Sequence, residues 1–457
     1  MSTLTTRIPR RLVEHAKPGV RWSLQHAIPR RALVRVASQG DPQGVLSTET
    51  TGLLAEELAP ILARIRSGGA IVGGKLSTLT GEHDAVNEVL TSNDFRTGFP
   101  GDTSRAVRGA LTWAASTTIG PLEPPSLLAT DGPTHTRNRK LVTRVFTARA
   151  VEALRERTEQ VATELLDDLE ADARAGHDVD LVARYCEQLP VTVIAEILGV
   201  PESEYETVLR LGGHAASSLD LGLDWATFRR TESALDEFDA WLETHLAAKR
   251  AQPGDGLFSA LIQAQDDGVG LSDRELKSVA GLVLAAGFET TVNLLGNAIR
   301  LIVGHPEQLA ALRSGEASWL NAVEETLRFD PPVLLTARTA TCDTRVADVD
   351  VAAGTLVVTV LAAANRDPKI FDDPDAFDVH RENAREHLAF SAGRHFCLGA
   401  ALSRMESEVA LRAFFDRFDV ELLPGATRRP TRILRGYATL PARLAAFSSR
   451  VRSSSVK

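Results

Sequence analysis

A mainly α-helical domain with a smaller β portion is the fold class this sequence predicts. Three observations predict it. Apolar residues recur at helical spacing through most of 134–328, while β-branched runs are short and confined to 70–79, 344–351 and 356–361. No internal repeat or low-complexity linker divides the 457 residues, although length alone suggests about three domains. Apolar residues make up 44% and charged residues 24%, so the chain can bury a large core without disulfides.

In chain order, residues 1–45 read as a basic N-terminal arm. Arg7, Arg10, Arg11, Lys17, Arg21, Arg30, Arg31 and Arg35 stand against one acid, Glu14, over residues 1–35. The plain reading is a poorly ordered tail. The composition also suits a transit peptide, or contact with an anionic membrane surface or another protein. Residues 46–450 read as a single domain and 451–457 as a disordered tail. Helical spacing begins at 53–66, a strand pair follows at 70–79, and a short helix at 82–90. The Gly/Thr/Ser/Pro-rich stretch 96–125 reads as a long loop. Helices are expected over 134–146, 148–175, 181–198, 202–212, 227–250, 273–304 and 319–328. Strand-like runs follow, then a Pro/Asp-rich meander over 365–381, then a loop and helix over 393–418.

Composition narrows the function. The net charge of −9 argues against a nucleic-acid binder. Cys186, Cys342 and Cys397 form no CxxC pair and no zinc-type cluster, which suits a reducing cytoplasm. No apolar run approaches the ~20 residues of a membrane span, and no signal-peptide core is evident, so neither is expected.

The most informative segment is Phe390-x-x-Gly393-x-His395-x-Cys397-x-Gly399. A lone cysteine is usually an inert core residue. This one sits just before an apolar-periodic helix, where the helix dipole favours thiolate. Gly393 and Gly399 let the backbone pass close to something flat. One cysteine cannot hold zinc or an iron–sulfur cluster, but it can be the only protein ligand of a haem iron. A second segment, Ala286-Gly287-Phe288-Glu289-Thr290-Thr291, lies in a long apolar helix. Ala286 and Gly287 leave room for a small ligand. The Thr290 hydroxyl can reach the Ala286 carbonyl and open the helical ladder. Glu289 is an acid whose desolvation should raise its pKa and suit proton relay. Two further pairs share a helical face: Glu325 with Arg328, and His135 with Arg139. Read alone, these are a surface ion pair and a solvated basic helix.

Together these segments, in this order, resemble the haem-thiolate signature of cytochrome P-450, over about residues 50–445. The run Gly281-Leu-Val-Leu-Ala-Ala-Gly-Phe-Glu-Thr-Thr resembles a soluble bacterial member of the numbered family 140. One departure is Ser391, where the family usually has glycine. The resemblance implies the P-450 fold around a buried haem b, with Cys397 as metal ligand. Residues bordering the haem would be His135, Arg139, Ala286, Gly287, Arg338, Phe390, Gly393, His395 and Gly399, the cations holding its propionates. Glu289 and Thr290 would deliver protons to O2. Glu325 and Arg328, with Arg381, would lock the chain around the cysteine loop. Substrate walls would include Phe99, Trp113, Leu128, Leu211, Val283, Ala286, Leu334, Leu335 and Tyr437, which are largely apolar and suit a hydrophobic small molecule.

The implied activity is monooxygenation, by hydroxylation or epoxidation. The chain has no flavin, GxGxxG or ferredoxin segment. NAD(P)H electrons would therefore arrive through a flavin-dependent ferredoxin reductase and a ferredoxin. Lys140, Arg144, Arg394 and Arg404 would form the face that docks an acidic ferredoxin. A peroxide-driven peroxygenase and a non-catalytic haem sensor are the alternatives, and the Glu289-Thr290 pair argues against both.

Overall fold

The structure is a computed structural model that describes residues 10–98, 105–116, 118, 120–254, 256–266 and 268–447. Basic and apolar residues alternate at helical spacing from the start. α1 (Arg10–Trp22) runs through a π turn into α2 (Ile28–Ala37), and α3 (Pro42–Thr48) follows under an Asp41 cap. From Arg10 onward the arm is therefore not a loose tail. Trp22 donates its indole N–H to the Leu223 carbonyl at 2.9 Å, and Arg21 pairs with Glu232 and donates to the Ala114 carbonyl. These bonds pin the arm to two helices far away in sequence.

α4 (Ala59–Arg66) precedes a strand pair, β1 (Val72–Gly73) and β2 (Thr78–Thr80). α5 (His83–Thr91), β3 (Phe95–Arg96) and α6 (Arg105–Ala114) follow. α6 lies where 96–125 read as loop. Its Ala, Val, Leu and Trp at helical spacing outweigh the breakers on either side. The helical layer then comprises α7 (Gly132–Val145), α8 (Ala148–Glu152), α9 (Arg155–Ala175), α10 (Gln188–Leu198), α11 (Tyr205–Ala216), α12 (Trp225–Ala251) and α13 (Leu257–Gln263). Short strands β4 (Val179–Asp180), β5 (Gln265–Asp266) and β6 (Val269–Gly270) interrupt it.

α14 (Asp273–Gly304) is the axis of the molecule. Its start is set by a capping box: Ser272 Oγ accepts the Glu275 N–H at 3.3 Å and Glu275 accepts the Ser272 N–H at 2.9 Å. Its 32 residues are long and apolar enough to span a bilayer. Here they form the core instead, packed against α10, α11, α12, α16 (Trp319–Phe329) and α18 (Ala400–Arg417). Between these lie α15 (Pro306–Ser314), β7 (Thr336–Ala340), β8 (Thr344–Val346), β9 (Val349–Val351), β10 (Leu356–Thr359) and α17 (Leu361–Ala364).

The main sheet has the order β1-β2-β10-β7-β3, parallel only between β2 and β10. Its buried face forms a second core with α3 and α4 through Leu46, Leu62, Leu79, Leu334 and Val358. The chain closes with β11 (Phe418–Leu422), β12 (Thr427–Arg428), β13 (Tyr437–Thr439) and β14 (Pro441–Ala446), β11 pairing with β14.

Candidate active site

The cysteine loop is held by the backbone. Ser391 N–H donates to Leu388 O at 2.8 Å, Phe396 N–H to Gly393 O at 3.1 Å and Cys397 N–H to Phe390 O at 2.9 Å. Gly393 has φ +65°, and an added Cβ would lie 2.8 Å from the Leu90 carbonyl oxygen, so only glycine fits. Ser391 also holds a left-handed φ, +61°, and its buried hydroxyl has no partner. That is the physical reason a glycine suits the position better. α18 begins at Ala400 with Gly399 as its cap, so Cys397 stands three residues before the helix.

The expected dipole effect is corrected here. Cys397 has exposed surface, yet enough protein surrounds the sulfur for burial to push its thiol above the ordinary value. The Gly399 N–H, Arg139 and Arg404 pull the other way without overcoming it. A cation bound to the sulfur would secure the thiolate.

Val283, Ala286 and Thr290 share one stripe of α14 and are half-buried, while most of their helical neighbours are buried. Thr290 Oγ1 donates to the Ala286 carbonyl at 2.6 Å, as its spacing predicted. Gly287 plays a different part from the one expected. An added Cβ would lie 3.2 Å from Ile194, so its bare face admits close packing of α10 rather than a ligand. Thr291, the next hydroxyl, joins α14 to the cysteine helix through Ser403 at 3.4 Å.

Glu289 is buried and its carboxyl is pushed up, first by desolvation, against the pull of Arg429. Arg429 lies 2.9 Å from Glu289 and 2.9 Å from Glu187. These three, with Arg210, His214 and Phe288, line a cavity of about 280 Å³. The sequence reading missed Arg429 and Glu187, because nothing local ties a C-terminal loop to the middle of α14.

The cations gather as a cluster. His135 packs at a tilt against His395 with ring centroids 4.4 Å apart, and His395 hydrogen-bonds Asp131 at 3.0 Å. His135 is held down to about 4, first by burial and then by the charge of His395 and Arg139, and its Nε2 has no partner. Arg139 donates to the Phe396 carbonyl at 2.6 Å and feels the Cys397 charge. Arg338 is 5% exposed and bonds only Thr336 and Ala337. Burial lowers it to about 10. Among the described residues Arg338 has no carboxylate within ion-pair distance. One acid, Asp131, thus faces Arg338, Arg394 and His135. Such an excess of buried and half-buried donors fits an anionic group such as the two propionates of a haem.

Glu325 and Arg328 form a fully buried bidentate pair, both bonds 2.7 Å, joined by Arg381 at 3.2 Å. Their surface reading is replaced by a buried clamp. Arg404, assigned to a docking face, instead points its guanidinium at Glu324, 2.8 Å away, and over the Phe390 ring at 4.6 Å. Glu324 also bonds His387 at 3.0 Å. Although burial opposes it, these partners hold Glu324 down at about 2. Arg394 donates to Ser92 O and Asn93, while Arg144 bonds the Gln265 carbonyl and Lys140 is exposed.

The residues expected to wall a substrate differ in burial. Trp113 and Leu128 are exposed, and Leu211 is buried in the main core. Leu334 and Leu335 sit in the second core, and Tyr437 packs under Arg428 at 4.0 Å. Phe99 lies outside the described residues.

Comparison with known proteins agrees with this geometry. The cytochrome P450 family model matches residues 320–445. The chain is 48% identical to cytochrome P450 140 of Mycobacterium tuberculosis, over 95% of this chain and 99% of the relative. That coverage leaves too few residues for the whole arm to lie outside the likeness. It is 42% identical to 6-deoxyerythronolide B hydroxylase of Saccharopolyspora erythraea, over 69% of this chain and 76% of that one. The solved open form of cytochrome P450 EryK from S. erythraea superposes with a TM-score of 0.75 at 32% identity, covering 88% of this chain and 99% of that one. With its cysteine loop, the Thr290 hydroxyl bonded back to Ala286 on α14 and its unmatched cations, this chain belongs to the cytochrome P450 family of haem-thiolate monooxygenases, and its likeness lies with family 140.

Proposed function

We propose that this chain binds haem b through Cys397 and inserts one oxygen atom of O2 into a hydrophobic small molecule, by hydroxylation or epoxidation. One observation carries the reading: Arg338, Arg139 and His135 converge beside the cysteine loop with a single carboxylate among them. When bound, the haem supplies O2 activation, and electron donation from the thiolate favours O–O cleavage.

The chain's residues do the rest. Arg338, Arg139, His135 and His395 orient the propionates. Thr290 Oγ1 holds a proton on the half-buried stripe of α14, where it bonds the Ala286 carbonyl. Glu289, whose carboxyl burial pushes upward, passes protons inward from the cavity it shares with Arg429 and Glu187. The relative named as a hydroxylase supports hydroxylation. NAD(P)H electrons arrive through a ferredoxin and its flavin-dependent reductase in the cytoplasm, with Lys140, Arg144 and Arg394 as the docking cations. Arg404 is committed to Glu324 and is left out of that face.

The test is spectroscopic. The reduced carbon-monoxide complex should show the red-shifted Soret band of a thiolate ligand, and Cys397→His should lose it. A variant that keeps the band would remove Cys397 from the role. In parallel, Thr290→Ala should release more peroxide and less product per NAD(P)H, with haem content unchanged.

A further inference from the structure

The arm's outward side has no role in the chemistry above. On α2, Leu33, Val36 and Ala37 are buried against the domain. Ile28, Arg31, Val34 and Arg35 form the opposite stripe at spacings of three and four, and all are exposed, Ile28 and Val34 each at 54%. Arg30 adjoins the stripe and packs beside Gly222, where an added Cβ would lie 3.2 Å from Arg30 Cβ. That turn leads into Trp225, which is 43% exposed and stands edge-on to Trp22 at 5.5 Å.

The nearby carboxylates are spoken for. Asp220 accepts the Arg432 and Ile433 N–H groups, Asp224 caps α12 through Thr227, and Glu232 pairs with Arg21 and Arg229. Among the described residues, Arg30, Arg31 and Arg35 have no carboxylate partner. In a chain of net charge −9, this is a local reversal of sign.

We propose that this face, built from α2 and the start of α12, docks on an anionic lipid bilayer. Interspersed arginines and exposed aliphatic residues on one helical stripe, with a tryptophan at its edge, suit the headgroup boundary. Arginines attract the anionic surface, and Ile28, Val34 and Trp225 enter the acyl edge. An acidic protein partner would match the same charge, but a face used for it alone would not float with anionic vesicles.

The full-length haem-loaded enzyme should float with vesicles of phosphatidylcholine and phosphatidylglycerol, and not with pure phosphatidylcholine. Added salt should release it. Arg30→Glu with Arg31→Glu and Arg35→Glu should weaken binding by about tenfold or more. Ile28→Ser with Val34→Ser should weaken it while leaving the charge unchanged. An unaltered haem spectrum shows that each variant is folded. No flotation with the anionic vesicles, equal flotation with both kinds, or variants that float like the parent would each overturn the proposal.

Discussion

Two clusters of buried charge in this molecule have opposite balances. Around Arg328, donors and acceptors are matched. Glu325 takes two bonds, and the carbonyls of Asn365, Pro374 and Ala376 take the remaining ones. Asp330 is matched in the same way by Arg428 and Arg435. Around Arg338, the donors outnumber the acceptors, and His135 Nε2 has none. The matched cluster ties strands and loops to α16, so it belongs to the fold. The unmatched cluster lies beside Cys397, so it belongs to a ligand. The lesson is that burial of charge alone does not mark a site; the missing counter-charge does.

That contrast is open to attack by substitution. The largest effect should follow Arg328→Leu, which strands Glu325 in the core with Arg381 and the Asp378 N–H as its remaining partners. A loss of about 3–5 kcal/mol is expected, read as a drop in denaturation midpoint or a failure to fold. Arg338→Leu should behave in the opposite manner. The haem-free chain should be as stable as the parent or more so, because an uncompensated buried cation is removed. Haem retention should fall by about 1.5–3 kcal/mol, the worth of a charge-assisted bond, measured by haem transfer to an apo-globin. If Arg338→Leu destabilises the haem-free chain as Arg328→Leu does, the distinction between the clusters fails.

A third prediction sharpens the site side. Ser391→Gly should relieve the left-handed backbone and raise stability by about 1 kcal/mol, with the carbon-monoxide spectrum unchanged. The smallest effect at neutral pH concerns a group that resists charge. Burial lowers His26 to about 4, and its Nδ1 accepts the Leu223 N–H. The unfolded chain takes up a proton near pH 6.5 and the folded one does not, so stability is retained above about 6.5 and lost as pH falls toward 4. His26→Gln should flatten part of that acid slope in thermal melts. An unchanged slope would mean that the arm does not contribute to it.

Some of this was legible in the chain alone, because it is written in short-range spacing. Helical periodicity marked α14 with its bounds intact, and the offset of four predicted the Thr290 bond to Ala286. The glycine and cysteine spacing marked the loop, since a left-handed turn pressed against Leu90 admits little else at Gly393. Position three apart paired Glu325 with Arg328. What local spacing cannot carry is which distant charges meet. Tertiary packing alone brought Arg429 to Glu289 across 140 residues of sequence and turned Arg404 inward to Glu324. It also folded a basic arm into helices pinned by Trp22 and Arg21. Charge composition suggested a tail, but burial of an amphipathic face depends on a partner surface the arm's own residues do not encode. The balance of the Cys397 thiol was decided the same way. The helix start is local, while the desolvation that outweighs it comes from the whole fold.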